Sequence, residues 1–412
     1  MSARPATSVV VGAGLAGAKA VETLRRAGFD ARIVLIGEEP HRPYDRPPLS
    51  KGFLAEPEAE TPYLHEPGYY AAHDIEVWTE SRVATLDPAS ATITTDSGER
   101  VRYDALLLAT GASPRRLRVP GAQLEGVRYL RTLADAEILR ADLRGAGRVI
   151  VVGGGWIGTE IAAAARQLGR EVVLVHRGAM PLEGVLGPEV ARVYRDLHVE
   201  HGVQLVSGDV DEVLGRRQVE GVRTADDRVI EGDLLVVGIG ARPRTELAEA
   251  AGLNVDDGIV VDEHLRTSAP GIFAAGDVAR AWHPLLGTLL RVDHWANALN
   301  QGRIAAANML GRPTPYDRVP YAYSDQYDVG MEYSGHAPSW DRVVIRGDAA
   351  RRQFIAFWLD QGRVVAGMNV NTWDVVKPIQ ALVSARRPVD PGRLGDPAVP
   401  LEEVLDTVSR AA

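Results

Sequence analysis

Two short glycine-rich strings, placed alike in two halves of the sequence, are the residues whose spacing first suggests chemistry. Gly12-Ala13-Gly14-Leu15-Ala16-Gly17 follows an apolar strand, Ser8 to Val11, and precedes a helical stretch to Arg26 and a second strand, Ala31 to Ile36. This is a GxGxxG turn in a strand-helix-strand setting. The first glycine permits the tight turn, the second lets backbone approach a pyrophosphate and the third lets helix and strand pack closely. A dinucleotide pyrophosphate then lies on the positive end of the helix. Glu38, 21 residues beyond Gly17, is placed to accept from an adenosine ribose, with the adjacent Glu39 as the alternative register.

The unit recurs 141 residues later, as strand Arg148 to Val152, then Gly153-Gly154-Gly155-Trp156-Ile157-Gly158, a helix through Leu168 and a strand from Glu171 to Val175. No carboxylate ends this second strand; His176-Arg177 stands there instead. A cation at that point leans the site toward the 2′-phosphate of NADPH, while a packed His176 with a solvated Arg177 leaves NADH equally acceptable. Each unit closes with a further buried strand, Ala105 to Ala109 before Thr110-Gly111 and Leu234 to Val237 before Gly238-Ile239-Gly240. Pro114 and Pro243 follow these and suggest crossings between domains.

Gly271 to Asp277 reads as one more buried strand ending in Gly-Asp, followed by a helix from Asn297 to Leu310. From Tyr316 the pattern changes to strands, Arg342 to Arg346, Phe354 to Leu359 and Val364 to Gly367, with a helix near Val376 to Arg386. The expected fold is α/β, two Rossmann-like dinucleotide-binding domains, one inserted in the other, plus a C-terminal α+β domain. Its boundaries are 1–112 with 241–318 for the first nucleotide, 113–240 for the second and 319–412 for the last domain.

Composition agrees with this and removes other chemistries. With 412 residues, 45% hydrophobic and 25% charged, the chain suits two or three globular domains. A net charge of −9 disfavours nucleic acid and anionic membrane. There is no cysteine, so disulfides, thiolate metal sites and thiol redox shuttles are excluded, and redox chemistry must reside in a bound cofactor. The longest uncharged stretch, 14 residues from Pro5 to Ala18, is too short to span a membrane, and a cytoplasmic protein is expected. Two nucleotide sites suggest a resident flavin and a visiting nicotinamide. His198 and His201 have no third ligand at metal spacing and read as a solvated pair, and Asp256-Asp257-Gly258 reads as a hairpin turn.

The sequence resembles the FAD-dependent ferredoxin reductases that serve Rieske oxygenases and bacterial cytochromes P450. The strings that carry this run along the whole chain: Pro43-Tyr44-Asp45-Arg46-Pro47-Pro48-Leu49-Ser50-Lys51, Tyr129-Leu130-Arg131-Thr132-Leu133, Gly276-Asp277-Val278, Arg291-Val292-Asp293-His294-Trp295 and Tyr323-Ser324-Asp325-Gln326. The resemblance implies that Gly12, Gly14, Ala16 and Gly17 cradle the FAD pyrophosphate, with Ala109, Thr110 and Gly111 beside them, and that Glu38 holds the ribose. It further implies that Arg46, Lys51, Val83 and Arg131 contact the flavin half or its phosphates, that Asp277 and Val278 meet the ribityl chain, and that Trp295 closes the pocket. The nicotinamide coenzyme, NADPH or NADH, would use Gly153, Gly155, Trp156, Ile157, Gly158, Glu160, His176, Arg177 and Gly240.

Chemistry supports two of these as catalytic. A reduced flavin gains negative charge, which an ammonium such as Lys51 stabilises, and Glu160 on the first turn of the second Rossmann helix can pair with it. Their plainer readings are a surface lysine on a loop and an acid complementing a helix N-terminus. Asp277 could equally be a turn residue, and Trp295 and Tyr323 core aromatics. Relatives usually carry tryptophan at Tyr323, and NADH-using ones an acid at His176. The expected partner is a [2Fe-2S] or similar ferredoxin and, indirectly, a P450 or oxygenase. Arg303, Arg312, Arg318, Arg386 and Arg387 are candidates for a positive patch to receive it. A flavoprotein with a small-molecule acceptor and an apoptosis-inducing-factor-like, nicotinamide-regulated interaction protein are the other readings of the same scaffold.

Overall fold

Val9, Val10, Ile33, Val34, Leu106 and Leu107 are wholly buried, as expected of strands covered on both faces. They belong to the central strands of a five-stranded parallel sheet in the order Ile272–Ala274, Ala105–Leu108, Thr7–Val11, Arg32–Ile36, Ile75–Trp78. The computed structural model describes residues 6–56 and 58–405, which fold as two compact units. The first is built from the chain up to Asp45, Thr61–Ser113 and Ala241–Pro320; the second from Arg46–Glu60, Pro114–Gly240 and the chain from Tyr321.

In the first unit the helix Leu15–Arg26 leaves the first strand through the glycine turn, with Arg25 and Arg26 in its last turn complementing its dipole. The helix Trp295–Met309 crosses it at backbone contact: a Cβ on Gly302 would lie 2.3 Å from the Ala16 carbonyl oxygen. Gly276 and Asp277 directly follow the strand Ile272–Ala274 and so stand at the carboxyl end of the sheet, where open α/β sheets bind ligands. Two three-stranded sheets, Val83–Asp87 with Thr92–Thr95 and Arg100–Arg102, and Ile259–Val261 with Ala279–His283 and Thr288–Leu290, complete this unit.

The second unit repeats the parallel sheet, in the order Val203–Ser207, Glu171–His176, Arg148–Val152, Leu234–Val237, Val127–Arg128. Its helix Leu133–Gly145 starts at a capping box, in which Asp135 N–H donates to Thr132 Oγ1 and Thr132 N–H donates to Asp135. A five-stranded antiparallel sheet follows, Tyr321–Gln326, Val329–Gly335, Arg363–Val370, Gln353–Asp360, Arg342–Asp348, with helix Val376–Ala385 against it. This sheet shares one core with helix Glu183–Glu200: Leu186, Val190 and Tyr194 pack with Phe354, Trp358 and Met368, and Trp358 Nε1 donates to the Leu186 carbonyl. The last sheet is thereby welded to the second nucleotide sheet. The short segment Arg46–Glu60 packs here too, where the sequence division had left it with the first nucleotide domain.

Candidate functional site

The two GxGxxG turns are superimposable in kind. Gly12 has φ +115° and a Cβ would sit 2.1 Å from the Ala109 carbonyl oxygen; one on Gly17 would sit 2.1 Å from that of Gly12. Gly153 has φ +121° with Gly238 O at 2.2 Å from such an atom, and on Gly158 it would strike Gly153 O at 1.9 Å. Only glycine fits at these four positions. Gly14 and Gly155 are different: each has ordinary negative φ, and a Cβ would meet nothing within 4 Å. Each is the N-cap of its helix, with no side chain capping it. Open space in front of uncapped helix amides fits a pyrophosphate in both turns.

Around the first turn, Ala109 is buried, Gly111 has φ +69°, and Thr110 Oγ1 donates to the Arg244 carbonyl at 2.8 Å. Arg244 N–H in turn donates to Gly111 O at 2.9 Å. The Arg244 guanidinium then reaches Glu38 with two hydrogen bonds, that from Nη2 measuring 2.7 Å, and this pairing raises the arginine pKa. Arg244 carries no local sequence signal; Glu38 lies 206 residues away. Glu39 is engaged elsewhere, accepting from Tyr44 OH at 2.6 Å. Gly276, with φ +79°, donates its N–H to Gln301 Oε1 at 2.8 Å and so presents Asp277. Burial lowers the pKa of His294, and the charge of Asp277 opposes that shift. Trp295 Nε1 donates to Asp45 Oδ1 at 2.8 Å, so the indole is oriented rather than loose core. Val83 and Val278 are buried.

Around the second turn lies an ion pair. Lys51 Nζ is 3.0 Å from Glu160 Oε1, with the lysine side chain 16% and the glutamate 3% exposed. A carboxylate this deeply buried must be paired and hydrogen-bonded. Ser324 Oγ donates to Oε1 at 2.6 Å, and Ser50 Oγ donates to Oε2. Lys51 Nζ also stands 5.5 Å above the Tyr323 ring. Arg46 Nη1 donates to the Arg131 carbonyl, which brings those two predicted residues together. Trp156 packs edge-on to Tyr194 at 5.6 Å, Ile157 is exposed, and Gly240, with φ +103°, accepts from Arg115 N–H at 2.9 Å.

One alternative left open by the sequence is decided and one expectation changes. His176 is 3% exposed, burial lowers its pKa, and its Nδ1 is 3.3 Å from Arg177 O; it is a neutral packed ring, not a cation. Arg177 is solvent-exposed and paired with Asp209, so the positive pair expected at this strand end is reduced to one neutralised arginine. His198 and His201 are not a solvated pair. His198 is wholly buried, and His201 stacks on Tyr327 at 3.6 Å. Asp256-Asp257-Gly258 forms the expected turn, with Asp256 N–H donating to Gly258 O at 2.9 Å. Among the described residues no group of three or more His, Cys, Asp or Glu could hold a metal, and no helix is long and apolar enough to cross a membrane.

Residues 6–302 match the pyridine nucleotide-disulphide oxidoreductase family and 321–405 match the reductase C-terminal family. Putidaredoxin reductase of Pseudomonas putida is 38% identical over 407 residues, covering 96% of each chain. The ferredoxin–NAD(+) reductase component of the anthranilate 1,2-dioxygenase system of Burkholderia cepacia is 40% identical over 412 residues, 98% of this chain and 100% of the relative. The crystal structure of a covalent putidaredoxin reductase–putidaredoxin complex matches with a TM-score of 0.93 at 37% identity, over 98% of this chain and 99% of that one. The chain therefore belongs to the putidaredoxin reductase-like ferredoxin reductases, within the pyridine nucleotide-disulphide oxidoreductases. It is an oxidoreductase, and the ferredoxin reductases of this family use FAD and NADH. With no cysteine, it does so without the disulfide in the family's name.

Proposed function

We infer that the chain takes hydride from NADH and delivers electrons to a [2Fe-2S] or similar ferredoxin, which supplies a cytochrome P450 or a Rieske-type oxygenase. Bound FAD supplies the conversion of one two-electron input into two one-electron outputs. The observation that carries this reading is the buried Lys51–Glu160 pair beside the second nucleotide turn, a held ammonium of the kind that would stabilise the negative charge a flavin gains on hydride transfer. Neither residue moves a proton in this scheme; Glu160 holds Lys51 in place, because hydride transfer depends on geometry.

The remaining roles follow the resemblance. Gly12, Gly14, Ala16 and Gly17, with Ala109, Thr110 and Gly111, receive the FAD pyrophosphate, and Glu38 its ribose. Arg46, Val83, Arg131, Asp277, Val278 and Trp295 serve its flavin half. Gly153, Gly155, Trp156, Ile157, Gly158 and Gly240 serve the nicotinamide coenzyme. Residues 1–112 with 241–318 act as the flavin domain, 113–240 as the nicotinamide domain and 319–412 as an interface domain. NADH is favoured over NADPH because His176 is neutral and Arg177 is paired with Asp209, leaving little free positive charge for a 2′-phosphate. The relatives' names also specify NAD(+).

The partner's docking on positive side chains such as Arg303, Arg312 and Arg318 in the first unit, or Arg386 and Arg387 in the second, would answer the acidity of ferredoxins. A cytoplasmic location fits an enzyme fed by NADH. Stopped-flow mixing of the FAD-loaded protein with NADH should bleach the flavin, and cytochrome c reduction should then depend on added ferredoxin. Arg303→Glu should raise the KM for ferredoxin and leave flavin reduction unchanged. Vigorous cytochrome c or oxygen turnover that ignores ferredoxin would overturn the reading.

A further inference from the structure

Glu160 ends a chain of hydrogen bonds that runs through the last sheet. Gln326 on the strand Tyr321–Gln326 is 2% exposed, and its Nε2 donates to Ser324 Oγ at 3.3 Å and to Thr159 Oγ1 at 3.0 Å. Thr159 Oγ1 is committed as a donor to the Trp156 and Gly155 carbonyls, so it can only accept from the amide. With both amide hydrogens engaged, Gln326 Oε1 accepts from His198 Nε2 at 2.9 Å. That assigns the Nε2–H tautomer, and His198 Nδ1 is left to accept from Tyr327 OH at 3.3 Å. Burial holds the His198 pKa down to about 4, which keeps the ring in this neutral form.

Every donor in the series therefore points one way, from Tyr327 through His198, Gln326 and Ser324 to Glu160 Oε1. An ionised carboxylate, which only accepts, is the fitting end of such a chain. The residues belong to separate stretches of sequence, and no alternative partner is needed for any of these side-chain atoms. Glu160 thus receives Lys51 and Ser50 from the segment Arg46–Glu60 and Ser324 from the last sheet.

We propose that Ser324 and Gln326 are positioning residues for hydride transfer: they hold the Glu160 carboxylate in the one orientation that keeps Lys51 in place. The last sheet is then part of the reductive site as well as a surface for a protein partner. This deepens the function given above and rests on it.

The test uses the full-length, FAD-loaded enzyme and rapid mixing with NADH. Ser324→Ala should lower the limiting rate of flavin reduction about tenfold, the weight of one hydrogen bond to a charged acceptor. The half-saturating NADH concentration should stay within about twofold, since coenzyme binding is not what the hydroxyl serves. Ser324→Thr, which keeps the hydroxyl, should restore the rate. Ser50→Ala, removing the donor to the other carboxylate oxygen, should slow reduction in the same way and answers the question if Ser324→Ala does not fold. Reduction by Ser324→Ala at the wild-type rate, or a threonine variant as slow as the alanine one, overturns the proposal. A wild-type flavin that NADH cannot reduce overturns the function itself, and this inference with it.

Discussion

Arg244→Ala should weaken FAD binding by about ten- to thirtyfold. The guanidinium makes a two-point contact with Glu38, the carboxylate assigned to the ribose, while its own backbone is tied to Thr110 and Gly111. The Arg244 and Glu38 side chains are 34% and 41% exposed, so the pair counts as a partly screened one, worth about 1 kcal/mol rather than the value of a buried ion pair. Without Arg244 the glutamate regains rotamer freedom that flavin binding must remove again, costing about 1 kcal/mol. Its uncompensated charge also repels the pyrophosphate, a screened effect of under about 1 kcal/mol. Together these losses approach 2 kcal/mol, or about thirtyfold in Kd. The assay is titration of the apoprotein with FAD, following the quenching of free flavin fluorescence. Glu38→Gln removes the charge that Arg244 compensates, so Arg244→Ala should cost much less in that background than in the wild type. Wild-type affinity in Arg244→Ala, or two substitutions whose effects simply add, would refute the reasoning.

The two kinds of glycine in each turn should separate by assay. Gly14→Ala should leave the melting temperature of the apoprotein unchanged, because its Cβ enters open space, yet weaken FAD binding at least tenfold; Gly17→Ala, with a carbonyl 2.1 Å away, should prevent folding, as thermal denaturation and soluble yield would register. Urea denaturation should show stability falling by about 2 kcal/mol between pH 7 and pH 5 through His198: its folded pKa of about 4 lies below the unfolded value, so the stabilisation is present above pH 6.5 and lost as pH falls toward 4. His198→Asn should flatten that slope. Asp209→Ala should release Arg177 and lower the KM for NADPH severalfold while leaving the KM for NADH nearly unchanged, measured by steady-state kinetics with each coenzyme.

Much of the architecture is written in short-range patterns. Strand-helix-strand periodicity around Gly12–Gly17 and Gly153–Gly158 located both nucleotide turns, and the structure places their strands and helices within a residue or two of where apolar runs begin and end. The later strands are harder to bound from sequence: Arg363–Val370 outruns the apolar stretch Val364 to Gly367, because ladder bonds to Val329–Gly335 and Gln353–Asp360 continue past it. Ser324 and Gln326 stood inside a recognisable string, yet nothing local assigned them a task. Glu160, which accepts from Ser324, is 164 residues away from it, and Thr159, which accepts from Gln326, is 167 residues away.

By itself, then, the order of residues determined where the chain must turn tightly and which faces must be buried, and with no thiol in it, that redox chemistry belongs to a cofactor. These depend on backbone sterics, side-chain periodicity and composition, which act over a few residues or none. Tertiary structure alone decided that Arg244 neutralises Glu38, that His176 is a neutral packed ring, that His198 is buried, and that Glu160 collects donors from two distant segments. Desolvation and the pairing of charges depend on what packs around a group after the chain has folded, and no spacing along the chain carries that information.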